Sequence, residues 1–151
     1  VLIILLLAGC TVKNYTPEIP YDLSQQATVT SGDFSFDCEF CRKDGVITVR
    51  VLSTRAKGLT MSYDGVSLVF DYDGMPLDLA GANFEKTNPA IMLYDVFSSL
   101  EELTPDSVSR LENGFCYRGA TALGDYVLIQ NDSGSLVSLT FRSSDISVKF
   151  R

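Results

Sequence analysis

Histidine and tryptophan are absent from the 151 residues. Without histidine the chain lacks the commonest general base and the commonest zinc ligand. Basic residues are scarce as well: 12 Lys and Arg stand against 19 Asp and Glu, a net charge of −7, and no basic cluster appears anywhere. Nucleic acid, which needs a basic face to displace phosphate counterions, is therefore excluded as an expected partner. Attraction to anionic lipid head groups is disfavoured for the same reason, so any membrane attachment should be hydrophobic or covalent. There is no Gly-rich phosphate loop and no nucleophile elbow, and a Ser-His-Asp triad cannot be assembled. The chain is expected not to be an enzyme and to carry no cofactor and no metal. Its length suffices for one domain with a real core.

What is present begins with an unbroken apolar run, Val1 to Gly9, closed by Cys10. Nine residues span roughly 14 Å as a helix, about half a bilayer core. That is too short to cross a membrane and has the length of a signal-peptide apolar region, so residues 1–9 are expected to be the remnant of one. Leu7-Ala8-Gly9-Cys10 resembles the lipobox of bacterial lipoproteins. The resemblance implies an acyl lipid on the Cys10 thiol and cleavage before it, with small Ala8 and Gly9 admitting the backbone to the peptidase. Thr11 follows rather than the aspartate that marks inner-membrane retention, so in a Gram-negative cell the outer membrane is open to it. The expected location is extracytoplasmic, lipid-anchored to the cell membrane. Residues 10–24 then read as the lipidated cysteine and a tether, extended by Pro17 and Pro20.

The remainder, residues 25–151, reads as strands with one helix. In "DFSFDCEF" Phe34, Phe36, Cys38 and Phe40 alternate with Asp33, Ser35, Asp37 and Glu39, the period of a half-buried antiparallel strand. Asp44-Gly45, Asp64-Gly65 and Asp73-Gly74 punctuate Val46–Leu52, Gly58–Tyr63, Val66–Tyr72 and Met75–Leu79 as hairpins. Asp71, Asp73 and Asp78 lack the dense spacing of a calcium loop. A helix is announced by Asn88 as cap and Pro89 at its first position, with Leu93, Val96, Phe97, Leu100 and Leu103 on one stripe. Four strands follow, around Arg110–Tyr117, Tyr126–Gln130, Leu136–Arg142 and Ile146–Phe150. A meandering sheet with one amphipathic helix must curl around that helix to bury both apolar faces. The fold class is therefore α+β, mainly antiparallel β: a curved sheet, or half-barrel, wrapped around one main helix.

"DGVITVRVLSTRAKGLTMSYDG", "LVFDYDGMPLDL", "NPAIMLYDVFSSL" and the closing "DSGSLVSLTF" and "ISVKF" together are similar to the lipoprotein-localisation fold of the LolA/LolB-like carriers and their Gram-positive lipoprotein relatives, germination lipoproteins among them. The resemblance implies an apolar cleft between concave sheet and helix, able to take a lipid or a lipoprotein acyl chain. Phe34, Phe36 and Phe40 with Leu93, Val96 and Phe97 could line such a cleft, or could simply fill a core. The expected function is non-catalytic binding of an apolar or acyl ligand, or of an envelope protein partner. The rival is a structural interaction module with a filled core and no ligand.

Three cysteines remain beyond Cys10. Cys38 and Cys41 in one strand would lie about 10 Å apart, too far for a bridge, and zinc would need four ligands. A disulfide from Cys116 to Cys38 or Cys41 is one reading; a buried free thiol at Cys38, facing with the phenylalanines, is the other.

Overall fold

The computed structural model describes residues 18–79 and 85–151. The apolar run, Cys10 and the first part of the tether thus lie outside the described residues. The described residues form eleven strands and one α-helix. They are β1 (Leu23–Ser31), β2 (Phe34–Lys43), β3 (Val46–Val51), β4 (Thr60–Tyr63), β5 (Leu68–Tyr72), β6 (Met75–Asp78), α1 (Pro89–Leu100), a 3-10 turn (Pro105–Ser107), β7 (Val108–Leu111), β8 (Gly114–Thr121), β9 (Gly124–Asn131), β10 (Leu136–Phe141) and β11 (Ile146–Phe150). All strands join one antiparallel sheet in the order β6-β5-β4-β3-β2-β1-β11-β10-β9-β8-β7. The two ends of the order do not pair, so the sheet stays open.

Most connections are tight hairpins between sequence neighbours; the exceptions are the longer β3–β4 loop and the crossing from β6 through α1 to β7, the two ends of the sheet. The one pairing between strands distant in sequence is that of β1 with β11, Ala27 opposite Phe150 and Val29 opposite Val148. This pairing joins the two meanders at the middle of the sheet. Beside it the Asp37 carboxylate accepts from Thr28 Oγ1 at 2.7 Å and from Arg151 Nη2 at 2.7 Å. The Thr28 hydroxyl, then Arg151, hold that carboxyl below its usual range.

The helix starts where its cap dictates. Asn88 Oδ1 accepts from the backbone N–H of Ala90 at 3.0 Å and of Ile91 at 3.4 Å, two donors a helix leaves unpaired at its start. The same helix packs on β3 and β4 at one limb of the sheet and on β8 at the other. It is thus a chord across the arc, and the curved sheet about one main helix is the observed fold. Ile91, Leu93, Val96 and Phe97 are buried on its inner face. Phe40 of β2 stacks on Phe97 with ring centroids 5.5 Å apart and meets Phe150 edge-on at 5.9 Å. At the far limb the Tyr126 hydroxyl lies 2.7 Å from Ser99 Oγ. Each fully buried side chain of this kind contributes about 1.5–3 kcal/mol.

Two expectations change. The stretch Arg110–Tyr117 is not one strand but the β7–β8 hairpin, turned at Glu112-Asn113 with Leu111 paired to Gly114. Asn113-Gly114 is itself a strong hairpin signal, and Gly114 takes a φ of 156° at the turn's exit. The helix ends at Leu100, so Leu103 packs on the core from the loop beyond it.

The cysteine bridge is the other correction. Cys38, Cys41 and Cys116 are all free thiols. Cys38 faces the core under the helix, whereas Cys116 alternates with core-facing Phe115 and Tyr117 and so lies on the opposite side. Cys41 lies on that opposite side too, but β1, β11, β10 and β9 stand between β2 and β8. Five strand spacings amount to about 24 Å along the sheet, against the 7 Å limit for Cα atoms of a disulfide.

Candidate functional site

The six residues expected to line a cleft separate into two groups. Phe40, Leu93, Val96 and Phe97 are between 0% and 2% exposed, and they close on one another beneath the middle of α1. Phe36 is half-buried against the edge of that core. Phe34, at the first position of β2, is 59% exposed; its ring meets Phe36 at 5.9 Å, and its cross-strand partner is the small Ser31. The centre of the half-barrel is filled.

The space lies one turn further on. A pocket of about 600 Å³ opens at the C-terminal end of α1, between Phe97, Leu100 and Glu101 of the helix, Arg42 of β2, Tyr117 of β8, and Glu18 to Tyr21 ahead of β1. Its walls are mainly apolar, from Ile19, Pro20, Phe97 and Leu100. The chain before β1 is therefore part of the domain surface. It runs as a strap across the base of the half-barrel and is pinned at both flanks. On one side Gln130 Nε2 donates to the Glu18 carbonyl at 3.3 Å and to that of Gly134 at 2.9 Å. On the other, the Arg42 guanidinium sits 4.8 Å from the centroid of Tyr21.

Gln130 is only 2% exposed and its remaining oxygen accepts from the Tyr117 hydroxyl at 2.6 Å. Every polar group of that amide is thus engaged, as a buried one must be. Burial pushes the Tyr117 phenol up to about 12, so it stays a neutral donor at physiological pH.

Arg42 is the one buried charged side chain among the described residues, 8% exposed. Its position follows from the strand period: Phe36, Cys38, Phe40 and Arg42 share the inner face of β2. A charge there would be costly if left alone. The guanidinium is sandwiched between the rings of Tyr21 and Phe97, 4.8 and 5.0 Å away, and Nη2 lies 2.9 Å from Glu101 Oε1. Ring faces attract such a cation electrostatically. The partners of this pair differ sharply in exposure, 10% for the Arg42 side chain and 65% for that of Glu101.

Sequence reading missed Arg42, Tyr21, Tyr117 and Glu101. The signal for Arg42 was available, since extending the Phe34–Phe36–Phe40 alternation by one step puts an arginine on the apolar face. Nothing local marks the other three, which reach the pocket only through the curvature of the sheet. No three Cys, Asp or Glu side chains gather to hold a metal among the described residues.

No family model matches the chain, and no curated protein matches it significantly. Among solved structures it is similar to an uncharacterized conserved protein from Thermus thermophilus, at 10% identity and a TM-score of 0.47, over 85% of this chain and 76% of that one. It is also similar to a LolA superfamily protein from Nitrosomonas europaea, at 10% identity and a TM-score of 0.39, over 89% and 86% of the two chains. The class of the fold, an open antiparallel half-barrel about one helix, rests on the strand order and the helix contacts themselves.

Proposed function

We propose that this protein is a non-catalytic, lipid-anchored extracytoplasmic lipoprotein that binds an apolar or acyl ligand. The pocket at the end of α1 carries the reading: its volume falls in the range of small-molecule sites, and it combines apolar walls with a few placed polar groups. The ligand site is thus moved from the filled centre of the sheet to the base of the half-barrel. Anchoring rests on the lipobox resemblance at Cys10. Under this reading the eight residues from Cys10 to Glu18 tether the start of the strap within about 28 Å of the membrane.

Two measurements test the reading. Protein purified from native membranes should release a stoichiometric apolar ligand, separable by mass spectrometry from the Cys10 acyl groups; none released, and no acyl probe bound, would refute ligand binding. Cys10→Ser should move the protein out of the membrane fraction; a variant still fully membrane-bound would refute the anchor.

The filled centre favours a second reading, an interaction module without a ligand. Tyr72, Met75 and Leu77 of the β5–β6 hairpin are exposed, β6 is an edge strand, and such edges offer unpaired backbone groups to another chain. Under that reading, crosslinks in intact cells should converge from β6 on one envelope protein.

A further inference from the structure

We propose that the pocket selects a long-chain amphiphile with a single carboxylate head, and that this head replaces Glu101 on Arg42. The inference rests on the ligand-binding reading above and specifies what is bound.

Three observations carry it. The first is the placement of charge. The one cation of the lining, Arg42, stands beside the apolar wall, so a purely hydrocarbon ligand would leave it with nothing new to bind, whereas an acid places its head there and its tail along Ile19, Pro20, Phe97 and Leu100. The guanidinium fork suits a carboxylate in particular.

The second is the weakness of the resident partner. Glu101 is the C-cap of α1, where the negative end of the helix dipole opposes a carboxylate. No basic residue occupies the last turn. Its side chain is mostly in water, so it can swing outward without losing packing. Exchange substitutes one carboxylate for another on Arg42 and relieves the clash with the helix end.

The third is the rim. Glu18 and Glu101 both border the pocket on a chain of net charge −7. One cation among these acids balances one negative charge, and a doubly charged head would be repelled.

The test uses the full-length chain and two probes that differ only at the head, 11-dansylaminoundecanoic acid and its methyl ester, titrated by dansyl emission. The acid should bind about tenfold or more tighter than the ester, the scale of one charge-assisted hydrogen bond. Arg42→Met should abolish the preference, so that acid and ester bind the variant equally, whatever the change in the affinity they share. Glu101→Gln should raise the ratio of acid to ester affinity several-fold, with its urea midpoint measured alongside to confirm folding. Equal affinity of the two probes, or no rise in that ratio in Glu101→Gln, overturns the proposal while leaving ligand binding in place. Failure of both probes to bind the unaltered chain overturns the binding reading and this one together.

Discussion

The middle of α1 and its last turn meet the same sheet under different conditions. At the middle, Leu93 and Val96 are buried in the core, and Phe97 stacks on Phe40 with ring centroids 5.5 Å apart. One turn later the apolar stripe continues with Leu100, yet the sheet offers Arg42 opposite it rather than another phenylalanine. A guanidinium cannot be packed away as a hydrocarbon can; it demands counter-charge and ring faces, and here Glu101 and the rings of Tyr21 and Phe97 supply them. The difference teaches that the pocket coincides with the one charged residue on the apolar face of β2, with Phe97 as the shared wall: it stacks on Phe40 in the core and lines the pocket beside Arg42.

The largest way to break this contrast is to empty the closed region. Phe40→Ala removes a fully buried ring that touches both Phe97 and Phe150. The expected loss is about 3–5 kcal/mol, a large share of a domain's total stability, read as a lower urea midpoint. A loss near 1 kcal/mol would mean that the centre is less tightly filled than described.

The contrast is sharpened by one substitution made twice on one helix. Leu93 is 1% exposed, and Leu93→Ala should cost about 2–5 kcal/mol because the cavity left behind cannot collapse. Leu100 is half-buried at the pocket wall. There the same truncation only widens a space already open to water, so the cavity cost disappears and about 1 kcal/mol of transfer energy remains. Urea denaturation of both variants gives the two values side by side, and equal losses would contradict the assignment of one position to core and the other to pocket.

Much of this architecture was legible in the chain. The Phe34–Phe40 alternation, the Asn88-Pro89 start and the Leu93–Leu100 stripe specify local structure through fixed periods and caps, and the need to bury both apolar faces implies the curl. Two kinds of feature escaped. Asn113-Gly114 sits inside an otherwise continuous run of strand-forming residues, and the run masked the turn. The pocket escaped because it depends on which distant side chains the curvature brings together: Tyr117 is seventy-five residues from Arg42 in sequence, counted from the numbering, and no period links them. The bridge to Cys116 failed for the same reason, since spacing shows neither which side of the sheet a thiol takes nor how many strands part it from another.

The effect most specific to the closed centre is titration of Cys38. Its thiol faces the core, and burial first, then the nearby Asp37 charge, pushes it up to about 11 from an ordinary 9.0. The unfolded chain therefore gives up this proton at lower pH than the folded one. The stability that a neutral Cys38 contributes is complete below pH 9 and is lost as pH rises from 9 toward 11. Tyr117, beside the pocket and pushed up to about 12, contributes in the same direction but only above pH 10. Urea unfolding of the unaltered chain and of Cys38→Ala at intervals from pH 8 to pH 11 should give two curves that converge as the pH rises, with convergence beginning before the tyrosine window opens. Thiol labelling at pH 8 should agree, the half-buried Cys41 reacting ahead of the buried Cys38 and Cys116. Parallel stability curves, or Cys38 labelled as fast as Cys41, would show that water reaches the centre of the half-barrel as it reaches the pocket at its base.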